Sequence, residues 1–155
     1  MFGITSNSVE KPTPLMCVAE NVFRGTNQLK RILKGLKQDL SDDEFKKELE
    51  KRDKTNLETA LFMAVQIGNL DAVELLVSEG ADIDAKNFCG QTPLMIASVN
   101  AVVQFAWPDD KYNMVKLLVK LGANTKVKTF CGDTIFQLPS IKTSADQELL
   151  DILTC

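Results

Sequence analysis

The chain has 155 residues, a mass of 17.2 kDa and a formal net charge of −3 at pH 7. This length is enough for one domain with a substantial core and too short for two well-formed globular domains. Hydrophobic residues make up 45% of the chain and charged residues 25%, and no apolar run approaches the roughly 18 residues that a membrane helix needs. Composition therefore favours one soluble domain and no association with a membrane.

Charge is distributed unevenly along the chain. Residues 1–54 contain 11 basic and 9 acidic residues, whereas residues 55–155 contain 7 basic and 12 acidic residues. Neither part has the dense basic stripe that is typical of a nucleic-acid-binding protein. We therefore expect no nucleic-acid partner.

Cysteine and histidine usage argues against a metal site and against catalysis. The four cysteines are widely separated and the chain has no histidine, so no Cys-x-x-Cys or mixed Cys/His metal site is expected. No catalytic serine motif and no phosphate-binding glycine loop is present either. The sequence predicts a non-enzymatic protein without a cofactor. Residues 1–10 lack the features of a secretory signal, which favours the cytoplasm with reduced thiols.

The first predicted helices follow a short lead-in at residues 1–10. Thr13-Pro14 opens a helix expected at 14–23, and apolar residues at i, i+3, i+4 and i+7 from Leu29 predict an amphipathic helix at 27–39. Ser41 and Glu44 then form a capping-box pattern, which predicts an additional helix at 42–52. With only Phe45 and Leu49 on its apolar face, this helix is expected to pack weakly.

The next segment, residues 58–90, has the most regular pattern. Two apolar patterns of helical spacing predict helices at 58–67 and 70–78, with Asn69 as the N-cap of the second helix. Gly80 is expected to end that helix with a positive φ. A short finger loop over residues 83–91 should follow.

A similar unit follows, with an apolar insert. Thr59 and Thr92 are 33 residues apart, whereas Thr92 and Thr134 are 42 apart, so about nine extra residues lie near 100–110. The insert contains Val102, Val103 and Trp107, which must either extend the first helix of the unit over a neighbour or form an exposed patch. A second helix carrying Tyr112 and a second finger at 125–133 should follow it.

The last unit departs from this pattern. Pro139 falls where a first helix would run, so that helix should be short or broken. A capping-box pattern at Ser144 and Gln147 introduces a closing helix with Leu149 and Leu153.

These features together resemble the ankyrin repeat family. The resemblance is carried by Thr59-Ala60-Leu61-Phe62, Gly68, Val73-Glu74-Leu75-Leu76, Gly80-Ala81-Asp82 and Thr92-Pro93-Leu94-Met95. It implies an all-α ankyrin-repeat solenoid of helix–turn–helix units with short finger loops, with about three repeats and a closing half-repeat. The implied single domain spans 11–155, divided into repeat one with its helical insert at 11–54, repeat two at 55–88, repeat three at 89–130 and the closing unit at 131–155.

The resemblance implies a protein–protein interaction module that binds a partner protein through its concave face and fingers. The tripeptide Phe-Cys-Gly recurs at Phe88 and Phe130, and two aligned aromatic side chains on neighbouring fingers could form a binding surface, since aromatic residues are enriched at interface hot spots. The alternative is that each ring packs on the adjacent finger. The expected partner-binding residues are Phe88, Phe130, Lys86, Asn87, Gln91, Lys128, Thr129, Asp133 and Trp107.

Two alternatives to a general interaction module stay open. The chain could be an inhibitory or effector-type ankyrin protein of a virus or intracellular pathogen, acting on a host protein in the host cytosol. It could also be a structural protein that self-associates through the insert at 101–107, although a monomer is expected.

Overall fold

The computed structural model describes Leu15 and residues 25–103, 112–143 and 146–154. Over these ranges the regular secondary structure is entirely helical, as the sequence predicts. In that part of the chain no helix is both long and apolar enough to cross a membrane. The helices are α1 (Gly25–Asp39), α2 (Asp42–Leu49), α3 (Ala60–Gln66), α4 (Leu70–Ser78), α5 (Pro93–Val103), α6 (Asn113–Lys120), α7 (Pro139–Thr143) and α8 (Gln147–Thr154), with a 3₁₀ helix at Ile135–Gln137.

The helices pack in two rows. Helices α3, α5 and α7 contact one another in sequence order and form one row, while α1, α4, α6 and α8 form the second row. Within a repeat the rows are joined by α3 against α4 and by α5 against α6. Each of the helices α3 to α6 therefore has neighbours within its own repeat and in an adjacent repeat, which is the arrangement of a solenoid.

The core lies between the two rows and continues from repeat to repeat. Leu29 and Leu33 of α1, Val73 and Leu76 of α4, and the corresponding apolar residues of α6 and α8 are buried. Burial of one such side chain contributes about 1.5–3 kcal/mol. Leu15 is buried in the same core, whereas the rest of the helix predicted at 14–23 lies outside the described residues.

The helix ends in repeat two match the predictions. The Asn69 Oδ1 accepts a hydrogen bond of 3.0 Å from the backbone amide of Ala72, as expected of an N-cap. Gly80 follows α4 with a φ of 96°, and Gly122 follows α6 with a φ of 94°. Positive φ at these two positions ends each helix tightly before its finger.

The additional helix α2 is more firmly held than the sequence suggested. It ends at Leu49 rather than Arg52, and both Phe45 and Leu49 are buried. At its start the Glu44 carboxylate accepts hydrogen bonds from the hydroxyl of Ser41 at 2.8 Å and from its amide at 3.1 Å. These bonds, the hydroxyl first, lower the pKa of Glu44.

The insert of repeat three begins as an extension of α5. This helix continues to Val103, where Val102 is half-buried and Val103 is 45% exposed. Residues 104–111 lie outside the described residues, so the prediction for Trp107 stays a prediction. The following helix, α6, begins at Asn113, directly after the buried Tyr112.

The first helix of the closing unit is broken at Pro139, as the sequence predicts. A 3₁₀ turn at Ile135–Gln137 is followed by the short helix α7, which begins at Pro139 itself. Helix α8 then buries Leu149 and Leu153 against the end of the core. The predicted capping residue Ser144 lies outside the described residues.

Three finger loops have the same construction at their tips, which we call fingertips 1, 2 and 3 (residues 53–58, 87–91 and 129–133). In each fingertip the backbone amide of the first residue donates to the carbonyl of the last, at 2.9, 3.0 and 2.8 Å. The side chain of the first residue accepts backbone amides within the same fingertip. Asp53 accepts from Thr55, Asn56 and Glu58, Asn87 from Cys89 and Gln91, and Thr129 from Asp133.

The next-to-last residue of each fingertip has a positive φ. The values are 57° at Leu57, 76° at Gly90 and 88° at Gly132. Glycine adopts this conformation without a steric cost. Leu57, which precedes Glu58 and Thr59 as Gly90 precedes Gln91 and Thr92, adopts it at a cost of about 1–2 kcal/mol.

Adjacent fingertips are joined by hydrogen bonds. The amide of Phe88 donates to the carbonyl of Asn56 at 2.7 Å, and the amide of Phe130 donates to the carbonyl of Cys89 at 3.3 Å. The guanidinium of Arg52 donates to the carbonyl of Lys86. The ammonium of Lys86 donates to the carbonyl of Lys128 at 2.8 Å. Backbone and side-chain bonds together therefore fix the three fingertips relative to one another.

A pair of glycine substitutions tests how closely fingertips 2 and 3 approach each other. A Cβ on Gly90 would lie 2.5 Å from the backbone nitrogen of Phe130 and 2.8 Å from its Cγ, whereas a Cβ on Gly132 would meet nothing within 4 Å. Gly132→Ala should destabilise the protein by about 1 kcal/mol through its positive φ alone. Gly90→Ala should cost at least about 1 kcal/mol more, because Phe130 must move. Equal losses in urea unfolding would contradict this close approach.

A second prediction concerns the pH dependence of fingertip 1. Partial burial raises the pKa of Asp53, but hydrogen bonds from the Thr55 side chain and from the amides of Glu58, Asn56 and Thr55 outweigh it and lower that pKa overall. A carboxyl with a lowered pKa in the folded state stabilises the fold above its unfolded pKa and loses that contribution as pH falls through its folded pKa.

Asp53→Asn should therefore destabilise the protein at pH 7 by about 0.5 kcal/mol, a small value because solvent screens this carboxylate. The difference from wild type should shrink when urea unfolding is repeated below about pH 4, near the ordinary pKa of aspartate. Asp39→Asn, which removes an exposed carboxylate at the end of α1, is the control and should show no loss at pH 7. A pH-independent loss at Asp53 would contradict the role of its charge.

Candidate functional site

Large apolar side chains are exposed mainly on the fingertips. Over the described residues, the exposed large hydrophobic side chains are Leu57 at 43%, Phe88 at 68%, Val103 at 45% and Phe130 at 71%. Three of these four lie on consecutive fingertips, and both of the phenylalanines singled out from the sequence are among them. Neither phenylalanine is folded into the core.

The two phenylalanines differ from ordinary exposed loop residues because their backbones are fixed. The amide of each donates to a carbonyl of the preceding fingertip, at Asn56 for Phe88 and at Cys89 for Phe130. The ring of Phe130 also lies beside Gly90, and the ammonium of Lys86 lies 5.7 Å from the centre of that ring. Phe130 thus contacts the neighbouring finger on one side and still exposes most of its surface.

Several predicted polar residues instead hold the fingers in shape. Asn87 is buried, and its Oδ1 accepts from the amides of Cys89 at 3.0 Å and Gln91 at 2.9 Å. Gln91 and Thr129 are half-buried, and the hydroxyl of Thr129 accepts from the amide of Asp133 at 3.2 Å. Lys86 is half-buried and bridges two fingers. These side chains position the exposed ones.

Three predicted site residues remain, and they differ in exposure. Lys128 is exposed directly before fingertip 3, and Asp133 is half-buried at the end of that fingertip. Trp107 lies outside the described residues. The structure therefore brings Phe88, Phe130 and Lys128 together as an exposed group, supported by the half-buried and buried polar residues of the same loops.

Polar residues of fingertip 1 and of the concave helices are also partly turned inward. Glu58 is buried and its carboxylate accepts from Gln66 Nε2 at 2.9 Å. Ser98 is buried and donates to the carbonyl of Leu94 at 2.9 Å. Asn100 is half-buried, and Asn56 is exposed at fingertip 1. The concave helices therefore offer fewer free polar groups than the fingertips.

Fingertip 1 and three nearby cations (Arg52, Lys54 and Lys126) were not among the predicted site residues. We call the exposed surface of the three fingertips, with the cations around them, the fingertip edge. It comprises Leu57, Phe88 and Phe130 together with Arg52, Lys54, Lys126 and Lys128. Fingertip 1 lacks the Phe-Cys-Gly tripeptide that marks the other two fingertips in the sequence. An alignment of Leu57-Glu58-Thr59 with Gly90-Gln91-Thr92 would nevertheless have placed Leu57 on this surface.

The described residues offer no alternative site based on a metal or a disulfide. No group of three or more potential metal-ligating side chains occurs among them. Cys89 and Cys131, at equivalent positions in fingertips 2 and 3, are exposed free thiols. Cys89 contributes its carbonyl to the contact with Phe130.

Comparison with known proteins identifies the repeat type. The model for ankyrin repeats, in three copies, matches residues 15–129. Over 41 residues (26% of this chain and 8% of the relative), the chain is 49% identical to a probable E3 ubiquitin-protein ligase, XBOS33, of Oryza sativa subsp. japonica. Over 46 residues (30% of this chain and 6% of the relative), it is 44% identical to the mitochondrial disaggregase of Homo sapiens. The chain therefore spans less than a tenth of either curated relative.

A solved structure supports the same fold over nearly the whole chain. The crystal structure of the ankyrin repeat domain of Bcl-3, described as a unique member of the IkappaB protein family, is similar with a TM-score of 0.70 at 20% identity. The similarity covers 93% of this chain and 52% of that structure's chain. With its paired helices, its stacked fingers and a family match over most of its length, this chain belongs to the ankyrin repeat family.

Proposed function

We propose that this chain is a non-enzymatic module that binds a partner protein through its fingertip edge and the adjoining concave face. Ankyrin repeats are generally protein–protein interaction modules, and the family is typically non-enzymatic. The observation that carries the proposal for this chain is the exposure of Phe88 and Phe130, at 68% and 71%, on backbones that are hydrogen-bonded to the preceding fingertip.

Exposed and fixed aromatic side chains are well suited to binding. Leaving a phenylalanine in water forfeits about 25 cal/mol for each Å² of apolar surface that burial would remove from solvent. Neither residue recovers that energy within its own fold, whereas a partner that covers the rings would. Because the fingertip backbones are already ordered, little conformational entropy remains to be lost on binding.

The localisation and the biological setting belong to the same proposal. We place the protein in the cytoplasm, which agrees with the exposed free thiols of Cys89 and Cys131. An inhibitory or effector role, in which a viral or pathogen protein blocks a host protein through this surface, is a special case of the proposed binding. It would use the same fingertip edge.

A second candidate function is self-association through the insert at 101–107. The observation in its favour is Val103, which is 45% exposed at the end of α5. We expect a monomer of 17.2 kDa when light scattering is measured at tens of micromolar protein. A dimer that dissociates on Val103→Asp, but not on Phe88→Ala with Phe130→Ala, would favour self-association instead.

The proposal is tested with the double variant Phe88→Ala with Phe130→Ala. A protein captured by the wild-type chain and then purified should bind this variant at least tenfold more weakly in calorimetry, because aromatic anchors dominate interface energies. The free energy of unfolding should fall by no more than about 1 kcal/mol, the size of the contact between Lys86 and the Phe130 ring.

Val103→Ala is the matched control, since it trims an exposed apolar side chain away from the fingertips. It should leave the affinity unchanged. Undiminished binding by the double variant would contradict the proposal, and a large loss of stability would show that the rings are packed rather than available.

A further inference from the structure

The charges around the fingertips indicate what kind of partner segment they would bind. We infer that the fingertip edge binds an extended peptide segment in which large apolar side chains are flanked by Asp or Glu. This inference rests on the proposed function, because it assigns a chemistry to the partner of the same surface. It depends on how the acidic and basic side chains of the fingers are oriented.

Most carboxylates of the finger loops accept hydrogen bonds from within the protein, whereas the half-buried carboxylate of Asp133 accepts none over the described residues. Asp53 accepts three backbone amides of fingertip 1, and Glu58 is buried against Gln66. Asp82 accepts from the amide of Asp84 at 3.0 Å, and Asp84 accepts from the amide of Asn124 at 3.0 Å. These carboxylates keep their negative charge, but backbone and side-chain donors of the protein itself take up part of their capacity to accept hydrogen bonds.

Two of the cations next to the fingertips likewise bond to neutral backbone groups. Arg52, Lys86 and Lys128 occupy equivalent places before the three fingertips, and each of the first two donates to the backbone carbonyl of the next in the series. We call these three residues the cation ladder. Their bonds go to neutral carbonyls, so the positive charge of the ladder is not cancelled by a carboxylate.

The last member of the cation ladder is available to a ligand. Lys128 is exposed, and in the part of the chain that the structure describes its ammonium has no hydrogen-bond or ion-pair partner. Lys126, two residues earlier, is likewise exposed and without such a partner over the same described ranges. Although the chain as a whole carries a charge of −3, two exposed ammonium groups therefore lie on the segment that leads into fingertip 3.

The apolar residues set the spacing of the segment. Leu57, Phe88 and Phe130 lie on consecutive fingertips, and stacked helices lie about 8–10 Å apart. An extended chain rises about 3.3 Å per residue. Apolar side chains about three positions apart would therefore meet successive fingertips, with carboxylates between them reaching the lysines.

A single-stranded nucleic acid would also use aromatic and cationic side chains. Leu57, the exposed apolar residue of fingertip 1, offers an aliphatic side chain and no aromatic face on which a base could stack, which favours the peptide. The oligonucleotide is therefore included as a competing outcome of the test.

The first experiment is a selection of random 12-residue peptides displayed on phage. The wild-type chain is the target, and Phe88→Ala with Phe130→Ala is used for counter-selection, so that surviving peptides depend on the fingertips. Asp and Glu should be enriched around Phe, Leu or Trp, with the apolar residues about three positions apart. Neutral or basic survivors would overturn the inference but leave the proposed function standing, whereas an absence of fingertip-dependent peptides would count against both.

The second experiment measures the charge dependence with a synthetic peptide of the enriched sequence by fluorescence anisotropy. Replacing its Asp and Glu by Asn and Gln should weaken binding at least tenfold. Lys126→Gln with Lys128→Gln should weaken it about five- to tenfold, and added salt should reduce the difference between the two peptides. Lys30→Gln with Lys34→Gln, which removes two exposed cations of α1, is the matched control and should leave binding unchanged.

Two results would overturn the inference at this stage. One is equal binding of the acidic and neutral peptides. The other is tighter binding of a 12-nucleotide oligothymidine, which would assign the rings and lysines to nucleic acid. Melting curves of each lysine variant that match wild type ensure that any change in affinity reflects the charge removed.

Discussion

The packing of one helix pair on the next is the interaction on which the rest of this structure depends. Helices α4 and α6 each contact the helices before and after them in their row, so neither repeat buries its apolar residues alone. Because the core is continuous, the loops that leave it are held at regular intervals. The fingers can then carry exposed aromatic rings without a separate core of their own.

The fingertips satisfy their own polar groups, and this determines what remains outside. Asp53, Asn87 and Thr129 are chemically different, yet each accepts backbone amides from within its own loop. A loop closed in this way needs no packing against the body of the protein to define its shape. What faces solvent is then the set of side chains with no part in that closure, chiefly the rings of Phe88 and Phe130.

Most of the fold was predictable from the sequence, whereas much of the site was not. The 33-residue spacing from Thr59 to Thr92, the cap at Asn69 and the break at Pro139 act through periodicity and local backbone chemistry, and all three are confirmed. Within a five-residue loop no such period exists. Whether a polar side chain such as Asn87 points inward depends on hydrogen bonds that only the folded loop defines, so composition alone placed it among surface residues.

The direction of the contacts between fingers has a consequence for how such a surface could change during evolution. Backbone amides donate to the preceding finger, while Arg52 and Lys86 donate to the following one. In both contacts between neighbouring fingertips, the hydrogen bonds therefore run in the same directions. A whole repeat inserted or removed at such a contact would find a compatible donor and acceptor on each side. The surface could thus become longer or shorter, and so could the segment that it would bind, without any change in the chemistry of a single finger.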